Sequence, residues 1–310
     1  MPESSRPDFF CIGAQRAGTT WLHSRLNQHP NFFLPPLKEL HYFDRSPRYP
    51  TPNTLNIANP AKRLLEFERA KWAARDVYRC LRYREWSSLV WLSKFHFGFY
   101  GDSWYRSLFP RDSRITSGDI TPGYSVLDEE GVRRMHLVAP QAKIIFILRN
   151  PIDRAWSMMR FGKRFGYACD PQRVEEIFSR IDSPGQELRS DYLRAISIYR
   201  KFYPAEKILL VFYDAIPERP QELLSQIFHF LGISPISFDA LDSQQRVNEA
   251  EELEIPDSVR SYLEDKYRDP ICAMAELLGG YASNWKNRLF EQPESECKSH
   301  RVCLLASEIA

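Results

Sequence analysis

The stretch that most restricts the fold is FFCIGAQRAGTTWL, Phe9 to Leu22. A continuous apolar run ends in a glycine, a short loop carries a second glycine, and a helical pattern follows. Residues 8–13 read as a buried strand. From Thr19 onward, Trp21, Leu22 and Leu26 recur on one side of a helix that ends before Pro30. Strand, glycine loop and helix in this order form the context of the phosphate-binding motif G-x-x-x-x-G-K-[ST]. Gly13 and Gly18 keep its spacing, but Thr19 stands in the place of the lysine and the nearest cation is Arg16, inside the loop. The first N–H groups of a helix lack intrahelical partners and the helix dipole favours negative charge, so the element suits an anion.

The rest of the chain repeats the alternation. KIIFIL, residues 143–148, is the strongest strand, apolar and β-prone enough to lie in a parallel sheet covered on both faces. Pro151 opens a helix over 151–165, and KILLVFY at 207–213 is another strand, preceded by a helix near 186–203 and followed by one near 219–231. NFFLPP and ITSGDI (115–120) add shorter strands. The pattern predicts an α/β fold with a mainly parallel central sheet flanked by helices. Residues 61–95 lack Gly and Pro and are rich in Arg, Glu, Trp and Leu, which predicts amphipathic helices inserted between core elements, with Arg63, Arg69, Arg75, Arg79, Arg82 and Arg84 on a solvated face. We expect one domain over 1–290, a helical insertion at about 61–108, and a loose C-terminal tail or small appendage over 291–310.

Composition narrows the function classes. A net charge of +2 over 310 residues gives no bulk electrostatic case for nucleic-acid binding. The six cysteines form neither C-x-x-C nor zinc spacing and read as reduced thiols of a cytoplasmic protein. The first residues carry no apolar signal core, and no run approaches the ~18 apolar residues of a membrane span.

KIIFILRNPIDRAWSMM runs from the strand into Arg149, where the carboxyl ends of parallel strands meet ligands. Its planar fork suits a phosphate, and Ser157, eight residues on, is placed to donate to the same anion. Taken together these segments resemble the P-loop-type sulfotransferases that use 3′-phosphoadenosine 5′-phosphosulfate (PAPS). GAQRAGTTWL resembles their 5′-phosphosulfate loop and ILRNPIDRAWSMM their 3′-phosphate segment. PLKELHYFD (36–44) resembles the K-E-x-H-x-F-D segment of the heparan-sulfate-type branch and its bacterial relatives, and GDITPGY (118–124) and YRDPICAMAELLG (267–279) are also similar.

The resemblance implies PAPS as co-substrate with no metal, bound on its 5′ side by Arg16, Ala17, Gly18, Thr19 and Thr20 and on its 3′-phosphate by Arg149 and Ser157, with Arg246 in a loop closing over the nucleotide. It implies Glu39 as the base that deprotonates the acceptor, assisted by His41, with Asp44 nearby, and Arg16 as the cation at the leaving group. In an extended segment Glu39, His41 and Phe43 would share one face, and partial burial would raise the pKa of Glu39 toward neutrality. Two positions depart from the family pattern. Arg16 stands where relatives usually have lysine, and Ile120 stands where many have another, leaving Lys38 as the nearest alternative cation. The expected activity is sulfuryl transfer to a hydroxyl of a small molecule or carbohydrate. An ATP-using small-molecule kinase and a non-catalytic nucleotide-binding scaffold are the alternatives.

Overall fold

The computed structural model describes residues 5–52, 55–57, 59–83, 86–163, 174–234, 254–291 and 301–309. Six strands form one sheet: β1 (Phe9–Gly13), β2 (Phe32–Phe33), β3 (Thr116–Ile120), β4 (Lys143–Leu148), β5 (Ile208–Phe212) and β6 (Cys303–Leu305), in the order β2-β3-β1-β4-β5-β6. All neighbours are parallel except β5 and β6. Phe9 and Cys11 of β1 pair with Gly118 and Ile120 of β3, and Ile144–Leu148 of β4 pair in step with Ile208–Phe212 of β5. Every residue of β1 and β5 is buried, and β4 is buried after Lys143. Helices cover both faces, as continuous apolar strands require.

The connection leaving β1 runs to one side of it and the connection leaving β3 crosses to the other. The carboxyl ends of β1 and β4 therefore flank the point where strand order reverses, the place at which open α/β sheets take ligands. The loop after Gly13 and the residue Arg149 both stand there.

The helix Thr19–Leu26 buries Trp21, Leu22 and Leu26, as its spacing predicts. The helix after β4 runs Pro151–Lys163, with Asn150 accepting at its start from the Ile152 N–H at 2.9 Å. The single helix expected near 186–203 is two, Pro184–Ser190 and Tyr192–Arg200, because Asp191 ends one and its carboxylate accepts from the Arg194 N–H at the start of the next.

The inserted segment contains the helices Pro60–Leu65, Phe67–Tyr83, Trp86–Phe97 and Asp102–Ser107. Arg63 does not join the solvated face: it is 4% exposed, with its guanidinium 3.6 Å from the ring centre of Tyr100. The expectation of a loose tail is corrected at 301–309. Val302 and Cys303 are buried, and β6 adds antiparallel to β5 with Val211 opposite Cys303. The apolar VCLL run has the alternative of leaving the β5 edge bare, which an added strand closes.

Candidate active site

The glycine loop is held in a conformation that its residues make possible. Gly18, the residue before the helix, has φ 85°, and a Cβ there would lie 2.4 Å from Ile216 Cδ1. Only glycine meets both conditions without strain. The helix that follows has no side-chain cap and no acidic residue in its first turn, so its leading N–H groups are open to an anion.

The predicted 3′ residues gather at this loop. The Nη1 of Arg149 donates to the Arg16 carbonyl at 2.8 Å, the Nε of Arg16 donates to Ser157 Oγ at 3.3 Å, and the Arg16 guanidinium lies 4.3 Å from the Phe161 ring centre. Arg149 stacks over Tyr213 at 4.3 Å, while its own Nε is buried with no hydrogen-bond partner among the described residues. It also faces a cleft of about 210 Å³ lined by Asp153, Trp156, Arg160, Glu254, Ile255 and Arg260, none of which the motif reading singled out. Arg160 lies one helical turn past Ser157 and Arg260 comes from a distant helix. Arg246 lies outside the described residues.

On the other side of the loop stands the segment Lys38–Asp44. The Nζ of Lys38 reaches Thr20 Oγ1 at 2.9 Å, Glu39 Oε1 at 3.3 Å and Thr19 Oγ1 at 3.5 Å. Glu39 Oε2 lies 3.5 Å from His41 Nε2, and His41 Nδ1 lies 2.7 Å from Asp44 Oδ2. Lys38, Glu39, His41 and Asp44 thus form one line of alternating charge that begins at the glycine loop and ends at a carboxylate fully out of solvent.

The segment is not extended. Glu39 has φ 65° and His41 φ 52°, both left-handed, so the strand-like alternation expected for it does not hold. Their side chains meet because the intervening backbone is tied down. The Leu40 N–H donates to Thr121 Oγ1 at 2.9 Å and the Tyr42 N–H to Tyr124 Oη at 3.1 Å. Both hydroxyls donate in turn to Asp119, at 2.6 and 2.8 Å, and Tyr105 donates to it at 2.7 Å. Asp119 is 1% exposed, and burial raises its pKa against the lowering effect of these three hydroxyls. It anchors the segment from beneath.

The electrostatics reverse one expectation. Burial pushes Glu39 up, but hydrogen bonding to His41 and the charge of Lys38 outweigh it, and its pKa falls below the ordinary carboxylate value. Burial pulls His41 down, yet Asp44 and Glu39 prevail and hold it at about 9. At neutral pH the pair is therefore carboxylate and imidazolium. Ile120, Lys38 and Glu39 line one small cavity of about 10 Å³, so Lys38 and Ile120 share the space next to the carboxylate. His23 lines it too. Its Nε2 is buried with no partner among the described residues, and burial together with Lys38 lowers its pKa to about 4. Its position one turn after Thr19 was the available signal for it.

Residues 7–237 match the model described as the sulfotransferase family, and the chain belongs to that family. It is 25% identical over 244 residues to the human bifunctional heparan sulfate N-deacetylase/N-sulfotransferase 2, covering 74% of this chain and 22% of the relative. It is 28% identical over 145 residues to the human heparan sulfate glucosamine 3-O-sulfotransferase 6, covering 45% of this chain and 42% of that one. The matched region thus spans less than half of either relative. In fold it is similar to a sulfotransferase from Alicyclobacillus acidocaldarius, with a TM-score of 0.56 at 20% identity over 94% of this chain and 99% of the other. The sulfotransferase domain of the Synechococcus PCC 7002 olefin synthase follows, with a TM-score of 0.52 at 18% identity over 94% and 97% of the two chains.

Proposed function

We propose that this sulfotransferase moves a sulfuryl group from PAPS to a hydroxyl of a small-molecule or carbohydrate acceptor and releases adenosine 3′,5′-bisphosphate. The observation that carries this reading is the continuous line Thr20–Lys38–Glu39–His41–Asp44, which joins an anion-binding helix start to a carboxylate with its own imidazole partner. The family supports sulfuryl transfer, and the names of the two human relatives support a carbohydrate acceptor.

The residues present fit the donor. The uncapped N–H groups of Thr19 and Thr20, with Ala17 and Gly18 in the loop, suit the 5′ side, and Arg16 and Lys38 supply charge next to it. The unpartnered Nε of Arg149 suits the 3′-phosphate, with Ser157 beside it. Arg246 belongs to the same reading. As the acceptor oxygen bonds to sulfur and the sulfur–oxygen bond to the 5′-phosphate breaks, the acceptor proton passes to Glu39. His41, protonated and fixed by Asp44, holds Glu39 in place and in its ionised form. Lys38 stands between the base and the loop, where it balances charge on either side as the reaction proceeds. Arg16 provides positive charge but cannot release a proton, so its part is electrostatic. A cytoplasmic setting completes this reading, with Cys11, Cys272 and Cys303 as free thiols.

Glu39→Gln tests the assignment. With PAPS and a panel of hydroxyl acceptors, we expect turnover to fall by roughly 10²–10⁴ while the affinity for adenosine 3′,5′-bisphosphate is kept. Undiminished turnover removes Glu39 from the mechanism.

A further inference from the structure

Of the ten large apolar side chains strongly exposed among the described residues, eight lie between residues 65 and 99. Leu65 is 86% exposed, Phe99 69%, and Tyr78 and Trp86 63% each. Isolated exposed apolar residues need no explanation, but a concentration of them in one insertion does.

On the helix Trp86–Phe97, Trp86, Val90 and Phe97 fall on one stripe that faces solvent, while Trp91 and Leu92 on the opposite side are buried. On the helix Phe67–Tyr83, Ala73, Asp76 and Cys80 point inward. Lys71, Arg75, Tyr78 and Arg82 make its outward line, flanked by Trp72 and Arg79, and all six are exposed. Among the described side chains of that helix the one carboxylate, Asp76, is 4% exposed and lies 3.3 Å from His96 of the neighbouring helix. The outward side of the Phe67–Tyr83 helix is therefore cationic and aromatic together, and the outward stripe of its neighbour is apolar.

That combination selects among occupants. A second copy packed face to face would bring two cationic lines together with no exposed carboxylate among the described side chains of the Phe67–Tyr83 helix to pair them. A soluble polyanion would engage the arginines and leave the Trp86–Val90–Phe97 stripe in water. An anionic bilayer surface satisfies both, with cations at the headgroups and aromatic and aliphatic side chains at the acyl boundary. No helix among the described residues is long and apolar enough to cross a membrane, so this is attachment at the interface. We propose that the helical insertion docks the protein on an anionic lipid surface. The insertion is rigidly connected to the site: Tyr105 stacks on Tyr42 at 4.4 Å and donates to Asp119 at 2.7 Å, beneath the segment that bears Glu39 and His41.

The test is sedimentation of the full chain with vesicles of phosphatidylcholine alone and of phosphatidylcholine with about one third phosphatidylglycerol. We expect binding to the anionic vesicles, weakened by salt, with a blue shift of tryptophan fluorescence, and little binding to the neutral ones. Each cation removed should weaken partitioning roughly five-fold, so Arg75→Gln/Arg79→Gln/Arg82→Gln should lose about 100-fold. Trp86→Ser/Val90→Ser/Phe97→Ser should lose at least about tenfold and reduce the blue shift, with Trp72 remaining as reporter. All of these positions are exposed, and circular dichroism checks that both variants stay folded. Absence of binding to either vesicle overturns the proposal, as does binding that neither variant changes. A concentration-dependent dimer that the apolar variant dissociates also overturns it and makes the face a protein interface. Binding to a soluble polyanion such as heparin without binding to vesicles overturns it in favour of an acidic polymer.

Discussion

Lys38 donates from Nζ to Thr20 Oγ1 across 2.9 Å, although the two residues are 18 apart in the chain. The same nitrogen lies 3.3 Å from Glu39 Oε1, so one cation links the first turn of the helix after the glycine loop to the carboxylate we assign as base. With Ile120 lining the same cavity and bringing no charge to it, the link gives Lys38 more to do than a surface ion pair would.

Lys38→Ala should therefore have two effects. Turnover should drop by roughly 10²–10³, the scale for removing one preorganised charge from a site of this kind. The pKa of Glu39 should rise, because Lys38 is one of the groups that lower it. In kcat/KM profiles the acidic limb of the variant should move to higher pH. A loss of rate with an unmoved acidic limb would contradict the electrostatic role.

The His41–Asp44 pair makes a separate prediction in pH. His41 stands at about 9 in the folded chain, above its ordinary value of about 6.5. A raised folded pKa gives stability that is complete below the unfolded pKa and is lost as pH rises through the folded one. Thermal unfolding should show the loss between about pH 6.5 and about 9, at most on the order of 3 kcal/mol from this group. Asp44→Asn should shift the loss to lower pH, since Asp44 contributes most among the groups that raise His41. Parallel profiles for the two proteins would contradict this.

Gly123 sets the pair from the other side. A Cβ there would lie 2.4 Å from Asp44 Oδ2 and 3.2 Å from His41 Cε1. Gly123→Ala should force the carboxylate and imidazole apart, so that turnover falls and the alkaline limb near pH 9 moves down, while affinity for adenosine 3′,5′-bisphosphate is kept. Wild-type turnover in this variant would mean that the spacing does not matter.

Much of this was legible in the chain because it depends on local order. The apolar run, the glycine spacing and the helix start at Thr19 define the loop, and KIIFIL followed by Arg149 and Ser157 defines the second anion position. What was not legible depends on distant packing. The reach of Lys38 to Thr20, the burial of Asp119 under three hydroxyls and the place of His23 beside Ile120 arise only once β1, β3 and the Lys38–Asp44 segment are assembled. The sign of the Glu39 shift was missed for the same reason. Burial alone argues for a raised pKa, and the opposing imidazolium is brought to 3.5 Å by two left-handed residues that no periodicity announces. The edge strand at 303–305 escaped notice because three residues carry almost no pattern.

The most direct test of the account is calorimetric titration of the wild-type protein and Arg149→Ala with adenosine 3′,5′-bisphosphate and, separately, with Mg-ATP. We predict tight binding of the bisphosphate by the wild type, weaker by about 1.5–3 kcal/mol in the variant for the loss of a charge-assisted contact, and no comparable affinity for Mg-ATP. Preference for Mg-ATP, or equal bisphosphate affinity with and without Arg149, would contradict the assignment of PAPS as donor.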